Sequence, residues 1–129
     1  IDYLFEKTGE QIIVVGSSYS STLACYELVE NDKVSAIVAF SPGNYFADVK
    51  GDLMPLLSAN EKAFWVTSSR EETTELSAML KATTLDELHV QFVPEGEGEH
   101  GSRALWEEKP DHDEYWESLI PFLNSLKTN

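Results

Sequence analysis

The stretch Ile12-Ile13-Val14-Val15-Gly16-Ser17-Ser18-Tyr19-Ser20-Ser21-Thr22-Leu23 constrains the fold more than any other part of the chain. Ile12 to Val15 is continuously apolar and β-branched rather than alternating, which predicts a strand buried on both faces. The run from Tyr19 to Glu30 is long enough for about three helical turns. A strand that turns so abruptly into a helix lifts the middle residue of Gly16-Ser17-Ser18-Tyr19-Ser20 to an apex, with its hydroxyl exposed and its backbone strained. The residues two before and two after that apex must be small, because strand and helix pass each other there. Gly16 and Ser20 meet this condition.

This spacing is a G-x-S-x-S form of the G-x-S-x-G nucleophile elbow. On that reading Ser18 is a nucleophile, and the amide of Tyr19, at the helix start, faces a developing oxyanion. A second reading is a plain β-α turn in which one of several serines caps the helix. The motif alone leaves both open.

A chain of 129 residues predicts one domain with a modest core. Its net charge of −14, from 23 acidic and 9 basic residues, opposes binding to a phosphate backbone and argues against a nucleic-acid partner. No apolar run approaches the length of a membrane span, and nothing resembles a signal peptide. The single cysteine, Cys25, lies among Leu23, Ala24, Tyr26 and Leu28, where a buried apolar role is expected.

Further along, residues 1–8 predict a helix with Tyr3 and Leu4 on its apolar side, stopped by Gly9. Val34 to Phe40 predicts a second buried strand, ending at the Ser41-Pro42-Gly43-Asn44 loop. Residues 45–50 read as irregular and 52–58 as a short helix. Ala63 to Thr67 predicts a third strand, followed by a helix from about Arg70 to Lys81 with Leu76, Met79 and Leu80 on its apolar face. Leu88 to Val93 predicts a fourth strand, followed by the acidic glycine loop of residues 94–99 and then His100. A last helix is expected over 111–126, kinked or divided at Pro121. Strands alternating with helices imply right-handed crossovers and a parallel sheet of about four strands flanked by helices.

In such a sheet, reactive groups collect in the loops beyond the C-terminal strand ends. Ser18, then Glu71 or Glu72, then His100 lie there in turn. Serine, acid, histidine is the chain order of hydrolases built on a nucleophile elbow. Ser69 and Glu72 form an S-x-x-E capping box that would occupy Glu72 structurally, which favours Glu71 as the acid. The same pattern at Ser68 and Glu71 keeps the choice open. His89 begins a strand and His112 starts the last helix, where solvated or capping roles are the default. His100 follows a glycine-rich loop able to swing an imidazole over the elbow. No His or Cys spacing suggests a zinc site, residues 95–99 lack the EF-hand arrangement, and Gly96-Glu97-Gly98 is not a dinucleotide fingerprint, so no metal or cofactor is expected. Trp106, Tyr115 and Trp116 are expected in the core or in a pocket wall.

In these features the chain resembles the α/β-hydrolase superfamily, and within it the small esterases of the dienelactone-hydrolase type. The matching residues are Ile12–Ser21, Ala39-Phe40-Ser41-Pro42-Gly43, Trp65-Val66-Thr67-Ser68-Ser69-Arg70-Glu71, and Glu99-His100-Gly101-Ser102. Ser20 departs from the usual glycine, and the family more often carries Asp where this chain has glutamate. The resemblance implies that Ser18 attacks an acyl carbonyl of a small ester or lactone. His100 then serves as general base and acid, a carboxylate (Glu71 favoured) orients it, and the Tyr19 amide belongs to the oxyanion hole.

The resemblance covers the chain as one domain but only the C-terminal half of the family's usual domain, whose earlier strands bring the second oxyanion donor. The expectation is therefore a fragment, a truncated form or a cleaved piece of a larger hydrolase. Its first strand would form an uncovered apolar sheet edge that self-associates or takes up a companion segment. A non-catalytic α/β module serving binding or assembly is the alternative. A flavodoxin-like or receiver-like domain fits less well, because the elbow lacks a phosphate-binding glycine loop or an acidic phosphoacceptor cluster.

Overall fold

The computed structural model describes residues 1–127, the side chains of Met54 and Leu56 excepted. The chain opens with α1 (Asp2–Thr8), stopped by Gly9 at φ 70°, whose amide donates to the Phe5 carbonyl. It continues through β1 (Ile12–Ser17), α2 (Tyr19–Glu30), β2 (Val34–Phe40), α3 (Ala47–Lys50), α4 (Leu53–Ser58), β3 (Ala63–Thr67), α5 (Thr73–Met79) and β4 (His89–Phe92). A 3-10 turn over Gly101–Leu105 precedes the last helix, α6 (His112–Leu126). The strands form one all-parallel sheet in the order β1-β2-β3-β4.

Each strand adds beside the last, so right-handed crossovers carry α2, α4 and α5 to one face of the sheet. The chain then crosses back, and α6 covers the other. β2 divides its apolar residues between the two sides. Ile37 and Ala39 pack with Cys25, Leu28, Phe64 and Leu76, whereas Ala36, Val38 and Phe40 pack with Trp65, Tyr115, Leu119 and Phe122. From Ala36 to Phe40 the strand carries no polar residue, as a strand sandwiched between helices requires. Cys25 is fully buried in the first layer, and burial pushes its thiol up to about 12.

β1 forms, but it is not buried on both faces. Val14 packs into the α2 layer, while Ile13 and Val15 are 43% and 64% exposed. The reason is topological: β1 is an edge strand, α6 packs on the far side of the sheet's middle, and α1 buries none of its residues. Tyr3 and Leu4 of α1 are accordingly exposed rather than core. A groove of about 1040 Å³ runs between the exposed side of β1 and the end of α6, lined by Ile13, Ala63, Leu88, Ile120 and Leu123. It lies towards the N-terminal ends of the strands, away from Ser18 and His100.

Other expectations shift more modestly. α5 starts at Thr73 instead of Arg70, because residues 69–72 form a turn in which the Glu72 amide donates to the Ser69 carbonyl. A short helix, α3, occupies part of the stretch read as irregular. α6 runs unbroken through Pro121, held from both sides of the proline by buried Tyr115, Leu119 and Phe122. Tyr115 is core, but Trp106 and Trp116 are surface residues, 53% and 38% exposed.

Candidate active site

All four strands end at the same rim of the sheet, and each is followed by a residue that enters one hydrogen-bonded cluster: Ser18, Ser41, Glu72 and His100. At the end of β1 the chain turns as the spacing requires. Ser18 has φ 55° and ψ −121°, a conformation that L-residues rarely adopt and that only a well-determined surrounding maintains. Its amide donates to the Phe40 carbonyl at 2.7 Å, extending the β1–β2 ladder by one bond.

A Cβ on Gly16 would lie 2.5 Å from the Ser20 carbonyl oxygen and 2.6 Å from the Ser21 Cα, so strand and helix touch backbone to backbone there. Ser20, in place of a second glycine, puts its hydroxyl to use. Its Oγ accepts from the Ser17 amide at 2.8 Å and donates to the Ser17 carbonyl at 2.9 Å. The Tyr19 amide sits in the first turn of α2, where helical N–H groups have no intrahelical acceptor, and among the described residues it donates to none. The Tyr19 ring stacks on Tyr45 with centroids 4.8 Å apart and meets Phe46 edge-on at 5.0 Å.

His100 approaches from the loop after β4. Its Nε2 lies 3.0 Å from Ser18 Oγ, and its Nδ1 is hydrogen-bonded to Glu72 Oε1. An ionised carboxylate only accepts, so Nδ1 carries the ring proton when the imidazole is neutral and Nε2 is left to accept from the Ser18 hydroxyl. The loop is pinned rather than free to swing. The Gly98 amide donates to Asp111 Oδ2 at 2.9 Å, the Glu99 amide to the Tyr115 hydroxyl at 3.2 Å, and the Ser102 amide to Ser17 Oγ at 2.9 Å. Arg70 ties the loop after β3 to it through the Pro94 carbonyl at 2.7 Å. Gly98 is required at φ 63° because a Cβ there would lie 2.2 Å from the Tyr115 hydroxyl.

The acid that meets His100 is Glu72. Glu71, favoured on sequence, instead lines a depression of about 470 Å³ beside the histidine. The capping pattern occupies Glu72 only in part. Only the glutamate half of the box forms, with Glu72 Oε2 accepting from the Ser69 amide at 3.0 Å. The Ser69 hydroxyl donates to the same oxygen at 2.9 Å instead of accepting from the Glu72 amide, so one carboxylate oxygen is used and Oε1 is left for the imidazole. Ser41 Oγ also donates to Oε2, at 2.9 Å. Burial alone would raise the Glu72 carboxyl. The Ser69 amide, the His100 ring and the Ser69 and Ser41 hydroxyls together outweigh it and hold the group below the usual glutamate range. The other histidines stand apart, His89 against Asp86 and His112 against the Lys109 carbonyl.

Ser41 carries no signal of its own in the sequence beyond its place at a strand end. Among the described residues, no group of three or more His, Cys, Asp or Glu side chains is arranged to hold a metal ion, and no helix is long and apolar enough to cross a membrane.

Neither a protein-family profile nor a curated protein matches this sequence. Among solved structures the chain is similar to the Pyrococcus furiosus esterase Pf2001 in two crystal forms. The TM-score is 0.71 at 17% identity for one form and 0.67 at 19% for the other. The chain shares that esterase's fold. The likeness covers 96% of this chain and 58% of the esterase in both cases, so this chain spans little more than half of the esterase's length.

Proposed function

We propose that these residues form the catalytic portion of a serine hydrolase acting on small carboxylic esters or lactones through an acyl-enzyme. The observation that carries the reading is the unbroken hydrogen-bond chain from Glu72 through His100 to Ser18, with Ser18 at a strained strand-to-helix apex.

In this mechanism Ser18 Oγ attacks the acyl carbon while His100 Nε2 takes its proton. The tetrahedral oxyanion accepts from the Tyr19 amide. Glu72, ionised, keeps the Nδ1 proton in place and stabilises the imidazolium. The imidazolium returns its proton to the departing alkoxide, the carbon–oxygen bond breaks, and Ser18 is left acylated. Water then attacks the acyl carbon with His100 again as base, releasing the acid and restoring the serine.

A second oxyanion donor and a cover for the exposed face of β1 belong, on this reading, to polypeptide beyond these residues. Two findings support that part: the uncovered Ile13 and Val15, and the remaining length of the esterase whose fold is shared. Losing one such donor costs roughly 10²–10³ in turnover, so these residues alone are a slow catalyst.

Presteady-state hydrolysis of a chromogenic short-chain ester tests the reading. A burst of leaving group stoichiometric with protein, absent from Ser18→Ala, supports an acyl-enzyme. Hydrolysis unaffected by Ser18→Ala and His100→Ala, or none at all from the folded protein, contradicts it.

A further inference from the structure

Ser41 is 2% exposed and, like Ser18, has φ 55°. Its amide donates to the Thr67 carbonyl at 2.7 Å, as the Ser18 amide does to Phe40, so β1 and β2 end with the same backbone device on adjacent strands. Its hydroxyl stands between the two loops that bring the acid and the histidine. The single hydroxyl proton goes to Glu72 Oε2 at 2.9 Å, and a lone pair accepts from the Gly101 amide, the residue after His100, at 3.0 Å. A side chain at the end of β2 therefore fixes the carboxylate from β3 and the imidazole loop from β4 relative to each other.

Among the described residues no other side chain bonds both the Glu72 carboxylate and the backbone beside His100. The Tyr115 hydroxyl joins the same two loops, donating to the Ser68 carbonyl at 3.0 Å and accepting from the Glu99 amide at 3.2 Å, without reaching the acid. Ser69 holds Glu72 Oε2 but belongs to the acid's own turn, and Ser17 holds the histidine loop at Ser102 without reaching the acid. Gly101 itself has φ 74°, and a Cβ there would lie 2.7 Å from Ser17 Oγ, so this loop fits its seat closely.

We infer that Ser41 is a positioning residue of the Glu72–His100 pair, holding the imidazole in the orientation from which Nε2 reaches Ser18. The inference rests on the serine-hydrolase reading for its kinetic consequence, but its structural consequence can be read without turnover. Ser41→Gly is the informative variant, because glycine accepts φ 55° freely and takes away the CH2OH group that makes both bonds. Ser41→Cys, one atom exchanged and slightly larger, keeps a weak donor in the same place.

The experiment follows two signals across pH in the 129-residue protein: covalent labelling of Ser18 by a fluorophosphonate, and the downfield NMR resonance of the proton on His100 Nδ1. In Ser41→Gly, labelling slows by about 10- to 100-fold, the scale of a small misplacement of a reacting group. The acid limb of the rate moves to higher pH, because a carboxylate with one donor fewer leaves the coupled pair with a higher affinity for protons. The Nδ1 resonance shifts or broadens, and Ser41→Cys recovers part of each change. A Ser41→Gly protein with an unmoved limb and an unchanged resonance overturns the inference, whatever its labelling rate. An unlabelled wild type overturns the hydrolase reading instead. The response of the resonance to Ser41→Gly then still decides the role of Ser41.

Discussion

The Ser69 amide reaches Glu72 Oε2 at 3.0 Å and so leaves Oε1 to the His100 ring: one carboxylate closes its own turn and orients an imidazole from a neighbouring strand. This double use decides between two adjacent glutamates that local pattern alone cannot separate.

Glu72→Gln should therefore slow acylation of Ser18 by roughly 10⁴-fold, as loss of the triad acid does elsewhere. Glu71→Gln should stay within about twofold, the effect of an ordinary surface change. Single-turnover labelling rates of the two variants, measured side by side, check this. Equal losses, or a larger loss in Glu71→Gln, would move the acid to the neighbouring residue.

The same carboxylate gives stability a pH dependence of known sign. Its folded pKa lies below the ordinary value of 4.5, so folding favours the ionised form. Its contribution is full above about 4.5 and is lost as pH falls through the lowered folded value. Urea unfolding of wild type and Glu72→Gln should show a stability gap at neutral pH that narrows below pH 4.5 or so. A gap that is constant or widens as the solution is acidified would contradict this.

How far these features can be read from the chain depends on what each residue's neighbours contribute. β2 and β3 are delimited by apolar runs, Val34 to Phe40 broken only by Ser35 and Ala63 to Val66 closed by Thr67, because both lie inside the sheet with a helix layer on each face. The same kind of run at Ile12 to Val15 looks identical whether or not a second face is covered, so the exposure of Ile13 and Val15 is a property of sheet order and not of the residues. The approach of Ser18 and His100 is legible from strand-end placement, since every loop at that rim converges. The choice of Glu72 depends on a turn over 69–72 that delays the start of α5, and a shift of one residue there exchanges which glutamate faces the ring. Ser41 is invisible for a similar reason: one small hydroxyl residue before Pro42-Gly43 reads as ordinary loop.

The contact between β1 and α2 predicts a steep cost at Gly16. A Cβ 2.5 Å from the Ser20 carbonyl oxygen meets backbone, which cannot rotate away. Gly16→Ala should destabilise by about 1–3 kcal/mol, the range for overpacking a tight site, and should distort the apex at Ser18. Denaturant unfolding checks the first part and labelling the second. An unchanged unfolding midpoint would mean that helix and strand are not seated this closely.

The free edge of β1 predicts association. Unpaired backbone groups beside exposed Ile13 and Val15 are a template for another strand. Sedimentation of the 129-residue chain should show species larger than a monomer, shifting towards monomer in Val15→Lys. A wild-type chain that sediments as a monomer and unfolds cooperatively would refute this.

Activation of the Ser18 hydroxyl by His100 and Glu72 is read out by peptide mapping after exposure to a fluorophosphonate. One adduct is expected, on Ser18, absent from Ser18→Ala and much slower to form in His100→Ala. Adducts spread over several of the chain's serines, or labelling of Ser18 at the same rate without the imidazole, would contradict it.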